Sequence, residues 1–192
     1  MLFRSQLAIS AALAAMAFSS HTQAAVTVLG NGLGASCYQA AEFGIDPKSS
    51  IQTCTLAIEQ EPLSLTDRAA TYVNRGILRS QVGDQDGALA DYNHGISMDA
   101  NHGEGYIDRG ATYIVLQRYD DALNDLNKGI AMGAHKPHIA YYDRAIVDEA
   151  MGNIRAAYQD YKKAVELQPD FSLASEQLTR FKVVRKESGS NE

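Results

Sequence analysis

Three arginines and three aspartates recur at one separation. Arg75 precedes Asp91, Arg109 precedes Asp125 and Arg144 precedes Asp160, each by 16 residues. A guanidinium fork fits a carboxylate through two parallel hydrogen bonds, so these pairs suit either a charged-ligand site or a repeated structural ion pair. The structural pair is the expectation, because a partly buried arginine needs a partner. Other reactive side chains are sparse. The histidines are His21, His94, His102, His135 and His138. His135 and His138 form an HxxH, but no cysteine or carboxylate nearby completes a metal-ligand set, and a surface loop is expected there. Gly30, Gly32 and Gly34 are spaced GxGxG without the preceding strand that a phosphate loop requires. No serine stands in a nucleophile-elbow context. The sequence therefore points to no catalytic residues, no metal and no cofactor.

The elements that carry these residues follow from composition and period. The chain has 192 residues, 45% of them apolar, with 17 Lys plus Arg against 23 Asp plus Glu, a net charge of −6 and a pI near 5.3. No basic run is present, which argues against nucleic acid as a partner. Residues 7–18 are apolar and uncharged, Arg4 precedes them, and small residues follow at Ala24 and Ala25. This is the pattern of an export signal spanning 1–24, with Thr22 and Ala24 at the −3 and −1 sites of cleavage. The apolar segment is too short to span a bilayer, so no membrane insertion is expected after cleavage. Loss of Arg4 takes the net charge from −6 to about −7, since it is the one charged residue of the segment.

Beyond residue 68 the chain repeats with a period near 34. Segments 69–102, 103–136 and 138–171 align, with Pro137 inserted. The fourth position holds Tyr72, Tyr106 and Tyr141. The eighth holds Gly76, Gly110 and Ala145, and the twentieth Ala88, Ala122 and Ala157. The twenty-fourth holds Tyr92, Leu126 and Tyr161, and the twenty-seventh Gly95, Gly129 and Ala164. Each unit reads as helix, turn, helix. Small residues let the two helices approach, and one hairpin cannot bury its apolar face alone, so the units must stack.

This arrangement resembles the tetratricopeptide repeat, whose aromatic and small positions these are. Pro169 fills the usual proline of position 32, whereas Ala100 and Ala134 replace it. The resemblance implies an all-α solenoid of about 3.5 helix-hairpin repeats with a C-terminal capping helix. It also implies a concave groove lined by the first helix of each hairpin. On that pattern the groove residues are Val73, Asn74, Ile77, Glu104, Ile107, Asp108, Tyr142, Asp143, Ile146 and Glu149. Such a groove is apolar with acidic points and lacks a Lys/Arg set for clamping a carboxylate. It suits a protein or peptide segment with apolar side chains and a positive charge, with Asn74 serving backbone as both donor and acceptor. Pairing of Asp108 and Asp143 with neighbouring arginines is the competing reading. The function implied is a non-catalytic binding scaffold or adaptor in the bacterial cell envelope, periplasmic or secreted. An envelope enzyme accessory or hydrolase is the alternative.

The flanks are less regular. Residues 25–34 read as an extended arm and 35–64 as a degenerate repeat, with a helix opened by Asp46-Pro47 and running over 47–59. Residues 65–68 read as an insertion. Cys37 and Cys54 fall at positions 7 and 24 of the degenerate unit, facing each other across its hairpin, and export permits a disulfide between them. Residues 172–186 read as one amphipathic capping helix and 187–192 as a disordered tail. The cap could also fold into the groove.

Overall fold

The computed structural model describes residues 2–5, 24–28 and 30–184. Eight helices among them form four antiparallel hairpins. The first is α1 (Leu33–Phe43) with α2 (Pro47–Gln60), and the second is α3 (Leu65–Gln81) with α4 (Gln85–Met98). The third is α5 (Gly103–Val115) with α6 (Tyr119–Ala131), and the fourth is α7 (Pro137–Ala150) with α8 (Ile154–Leu167). A short α9 (Ser172–Leu178) packs on α8. The chain is an all-α solenoid. No helix of the described residues is long and apolar enough to cross a membrane.

The repeat positions hold each hairpin closed. A methyl group added at Gly76 would lie 2.7 Å from the Tyr92 ring, and one at Gly110 would lie 3.0 Å from Leu126. The eighth and twenty-fourth positions thus meet across the hairpin, which is why the first must be small. Turn residues reverse the chain with left-handed backbone at the same place in each repeat: Gly83 (φ 85°), Gln117 (φ 57°) and Gly152 (φ 82°). Gln117 adopts there a conformation that disfavours any residue with a Cβ.

The degenerate N-terminal unit is a complete fourth hairpin. Cys37 and Cys54, both fully buried, are joined by a disulfide with Cα atoms 4.9 Å apart. Residues 65–68 are not an insertion between units. They form the first turn of α3, started by Ser64, whose side chain accepts from the Asp67 N–H at 3.1 Å. Asp46 opens α2 ahead of Pro47, but its carboxylate accepts from the Ser49 hydroxyl at 2.7 Å rather than from backbone.

The C-terminal segment departs from the expected 172–186 helix. α9 ends at Leu178, and strand β2 (Phe181–Val184) runs antiparallel to strand β1 (Leu2–Ser5), with Leu2 opposite Val184 and Ser5 opposite Phe181. Phe181-Lys182-Val183-Val184 is aromatic and β-branched, which favours a strand. The Phe181 ring stands 5.7 Å from Tyr158 and 5.9 Å from Tyr161, fixing the strand against α8. Of the expected signal peptide, residues 6–23 lie outside the described residues, as does the expected tail 187–192.

Candidate functional site

Position 7 and position 23 meet within each regular hairpin. Arg75 donates from Nε and Nη2 to both oxygens of Asp91, at 2.9 and 2.8 Å. Arg109 grips Asp125 in the same way at 2.6 and 2.9 Å, and Arg144 grips Asp160 at 2.6 and 2.9 Å. Each guanidinium also lies over the tyrosine three residues before it: Tyr72, Tyr106 or Tyr141, 5.2 to 5.5 Å from the ring centre. The remaining Nη1 crosses to the preceding hairpin. Arg75 reaches Thr55 at 3.0 Å, Arg109 reaches Asn93 at 2.6 Å and Arg144 reaches Asn127 at 2.6 Å. Those three acceptors all occupy position 25, a register that the sequence reading had not singled out. Two are asparagine and one threonine, and their separations from the arginine are 20, 16 and 17 residues, so no constant spacing marks them in the sequence. One arginine thus closes its own hairpin and ties it to its neighbour, leaving no charge for a ligand.

The concave face is built differently. Residues 24–28 lie along it in extended conformation, and Val26 and Val28 are buried beside Val73, Ile77 and Ala70. Asn74 on α3 meets the arm backbone twice: its Oδ1 accepts from the Val26 N–H at 2.8 Å, and its Nδ2 donates to the Val26 carbonyl at 2.7 Å. Two residues earlier, the Ala24 N–H donates to Asp108 Oδ1 at 3.1 Å. An extended strand points alternate N–H groups to one side, so Asn74 and Asp108 read the same edge of the arm. The glycine run positions it. Gly30 turns the chain with φ 112°, and Gly34 donates to Glu61 at 2.7 Å while leaving room for Val28. It is the N-terminal arm, rather than the C-terminal cap, that enters the groove.

The expected groove residues divide into four groups. Asn74, Asp108 and Asp143, all at position 6, share one face. Val73, Ile77 and Ile107 are sealed in the interior. Val73 abuts Gly95, and Ile107 abuts Gly129 so closely that a methyl group there would lie 2.6 Å away. Val73 and Ile107 thus reach the partner helix where position 27 is glycine, and Val73 and Ile77 also share a core cluster with Val26 and Val28, so the arm covers this apolar wall. Glu104 and Glu149 are spent on the protein itself. Glu104 accepts from the His135 N–H at 2.9 Å and meets its ring nitrogen at 2.7 Å. Burial alone would raise the Glu104 pKa, but these His135 contacts hold it below the ordinary value. Glu149 is bound by Arg180, just beyond α9, and by the Tyr161 hydroxyl at 3.2 Å. Tyr142 packs edge-on against Phe171, 5.3 Å away, with Ile146 half-buried alongside. His135 and His138 part company, since His138 packs on Phe171 at 5.1 Å.

Asp108 and Asp143 have no arginine partner among the described residues. Asp108 Oδ2 is buried with no hydrogen-bond partner among the described residues. Burial pushes the Asp108 pKa up to about 7; the Ala24 N–H opposes the shift and the Glu104 charge adds to it. Burial likewise holds Asp143 well above the usual carboxylate range, with Asp108 adding repulsion. Uncompensated buried carboxylates on one face are an arrangement that folding alone does not favour.

The tetratricopeptide-repeat family model matches residues 138–171. The fold is shared with the crystal structure of MamA, at 19% identity and TM-score 0.61 over 78% of this chain and 82% of that one. Residues 138–171 match the tetratricopeptide repeat, and the fold of the chain is shared with solved tetratricopeptide-repeat domains. The first repeat domain of Spaghetti (RPAP3) bound to HSP90 peptide SRMEEVD is similar at 23% identity and TM-score 0.57, over 60% of this chain and 90% of that one. The second such domain of human RPAP3, in complex with HSP70 peptide SGPTIEEVD, has 22% identity and TM-score 0.56, over 61% and 97%. No curated protein matches the chain in sequence. The feature that bears on function is a groove face occupied by the chain's own backbone.

Proposed function

We propose that this protein is a non-catalytic adaptor that holds an extended peptide segment in its concave groove, and that it works in the bacterial periplasm or outside the cell after export. The observation that supports this reading is the arm itself: residues 24–28 lie extended against the groove, with their backbone bound by Asn74 and Asp108. Asn74 serves both a donor and an acceptor of one residue, a mode indifferent to side chain and suited to peptides in general. The RPAP3 domains hold peptides ending in EEVD. The acids at position 6 discourage such carboxylate-rich ligands here and favour a cationic one. The apolar segment 7–18 and the Cys37–Cys54 disulfide support an exported, oxidising setting.

The test loosens the arm in the full chain. Val26→Asp with Val28→Asp places carboxylates among Val73 and Ala70 and drives the arm out of the groove. This variant, still helical by circular dichroism, binds a fluorescent peptide of sequence AAVTVL, whereas wild type binds it weakly. Adding Asn74→Ala abolishes the binding. A loosened, helical variant that binds no such peptide overturns the reading.

A further inference from the structure

We propose that the acidic end of the groove is a site for a free α-ammonium group, and that its resident ligand is this chain's own N-terminus after cleavage between Ala24 and Ala25. The inference rests on the export and groove readings above. Hydrolysis of that peptide bond by a signal peptidase consumes one water, leaves a carboxylate on Ala24 and creates an ammonium on Ala25.

The site is short of positive charge. Lys136 is held by Glu42 Oε1 at 2.6 Å, and Glu42 Oε2 is buried with no hydrogen-bond partner among the described residues. His135 is engaged by Glu104. Asp108 receives one backbone N–H on one oxygen and nothing on the other. Asp143, 4% exposed, has no hydrogen bond or cation among the described residues. Ala24 and Ala25 line a cavity of about 290 Å3 with Tyr38, Glu42, Glu104 and Lys136, and His102 and His135 complete its titratable walls. Asp108 and Asp143 do not themselves line that cavity, so a ligand that settles them must bring a cation and several donors to the place where the Ala24 N–H meets Asp108.

An α-ammonium meets that description. It carries three N–H donors, enough for both Asp108 oxygens and one further carboxylate. Its position is set by the arm, because the Asn74 pair fixes residue 26 and the burial of Val26 and Val28 fixes the register. Cleavage removes Ala24, whose N–H occupies Asp108 in the uncleaved chain. The new ammonium stands one residue along the same backbone, and rotation about the freed Cα–C bond of Ala25 swings its nitrogen from the opposite edge toward the space that Ala24 leaves. The ligand class is therefore an amine-terminated extended segment with an apolar residue second from its end. N-terminal amine capture of this kind is one way in which binding sites read chain ends.

The test uses the exported product of the full gene. Its N-terminus is identified by mass spectrometry, and the titration of its unmodified α-amine is followed by 15N NMR on 15N-labelled protein. The expected result is a chain beginning at Ala25 whose α-amine titrates at least one unit above the ordinary value of about 7.7–8.0. Asp108→Asn, and separately Asp143→Asn, bring it back toward that value. A chain that retains residues 1–24, or an α-amine with an ordinary pKa, overturns the proposal. In the loosened variant described above, the peptide AVTVL, which begins at the position of Ala25, binds with its amine free, and its Nα-acetylation weakens binding at least tenfold. If free and acetylated peptides bind equally, the groove reading stands and the amine inference falls.

Discussion

Two sets of buried aspartates occupy this solenoid, and they are treated in opposite ways. Asp91, Asp125 and Asp160, at position 23, each sit in the fork of an arginine that also stacks on tyrosine and reaches the next hairpin. Asp108 and Asp143, at position 6, are as deeply buried and have no guanidinium. The first set shows what a carboxylate needs to be tolerated inside this fold. The second set lacks it, and it alone faces the groove where residue 24 is bound. Elsewhere a buried acid has a side-chain or backbone partner of its own, as Asp148 has Asn153 and Glu104 has His135, so Asp108 stands out by its unpartnered oxygen.

The sharpest way to break this comparison is to strip a position-23 acid of its partner. Arg109→Ala leaves Asp125 buried and uncompensated, and is expected to cost about 3–5 kcal/mol in a urea melt. Arg118→Ala, which removes a half-exposed partner of Asp121, is expected to cost under about 1 kcal/mol. If the Arg109→Ala, Asp125→Ala double variant loses the sum of the two single losses, the pair does not interact.

The position-6 acids should show the reverse sign. Asp108 titrates near 3.8 when unfolded and at about 7 when folded. Its neutral form is thus favoured by folding. The stability it contributes is fully present below about pH 4 and is lost as the pH rises toward 7, by up to about 4 kcal/mol in the chain that retains residue 24. Asp108→Asn should flatten that part of the profile and stabilise the chain at pH 8. An unchanged profile would place the titration elsewhere.

Reducing the Cys37–Cys54 bond tests the one hairpin where cysteine replaces arginine at position 7. The loss expected is about 3 kcal/mol, read as a shift in the urea midpoint with and without reductant. The smallest effect concerns the turns. Gln117→Gly relieves left-handed backbone where the other two repeats carry glycine, and a gain of about 0.5–1 kcal/mol is expected from thermal unfolding.

Much of this was legible before any coordinates. Three copies of one period fixed the hairpins, because a small residue at 8 and a large one at 24 can only be satisfied across a tight helix pair. The cysteines were legible for the same reason, since positions 7 and 24 face each other. Asn74 was recognisable as a backbone reader, but its occupant was not. Val26-Thr27-Val28 announces an extended strand without saying which surface receives it. The end of α9 was hidden by coincidence of spacing, since Leu178, Phe181 and Val184 also recur as a helical stripe. What decides for a strand is a distant partner, Leu2–Ser5, inside a segment that reads as an export signal. Val73 and Ile77 were legible as apolar positions of the groove, but their cover by Val26 and Val28 was not, because periodicity gives the face of a helix and not what packs on it.

The central claim is that the groove holds an extended backbone through Asn74. Amide hydrogen exchange at Val26, compared between wild type and Asn74→Ala, tests it most directly. The account predicts that the wild-type Val26 N–H exchanges at least about a hundredfold more slowly than an unstructured amide, and that Asn74→Ala removes most of that protection while the helices keep theirs. A Val26 amide that exchanges at the unstructured rate in wild type, or one whose protection survives Asn74→Ala unchanged, would contradict it.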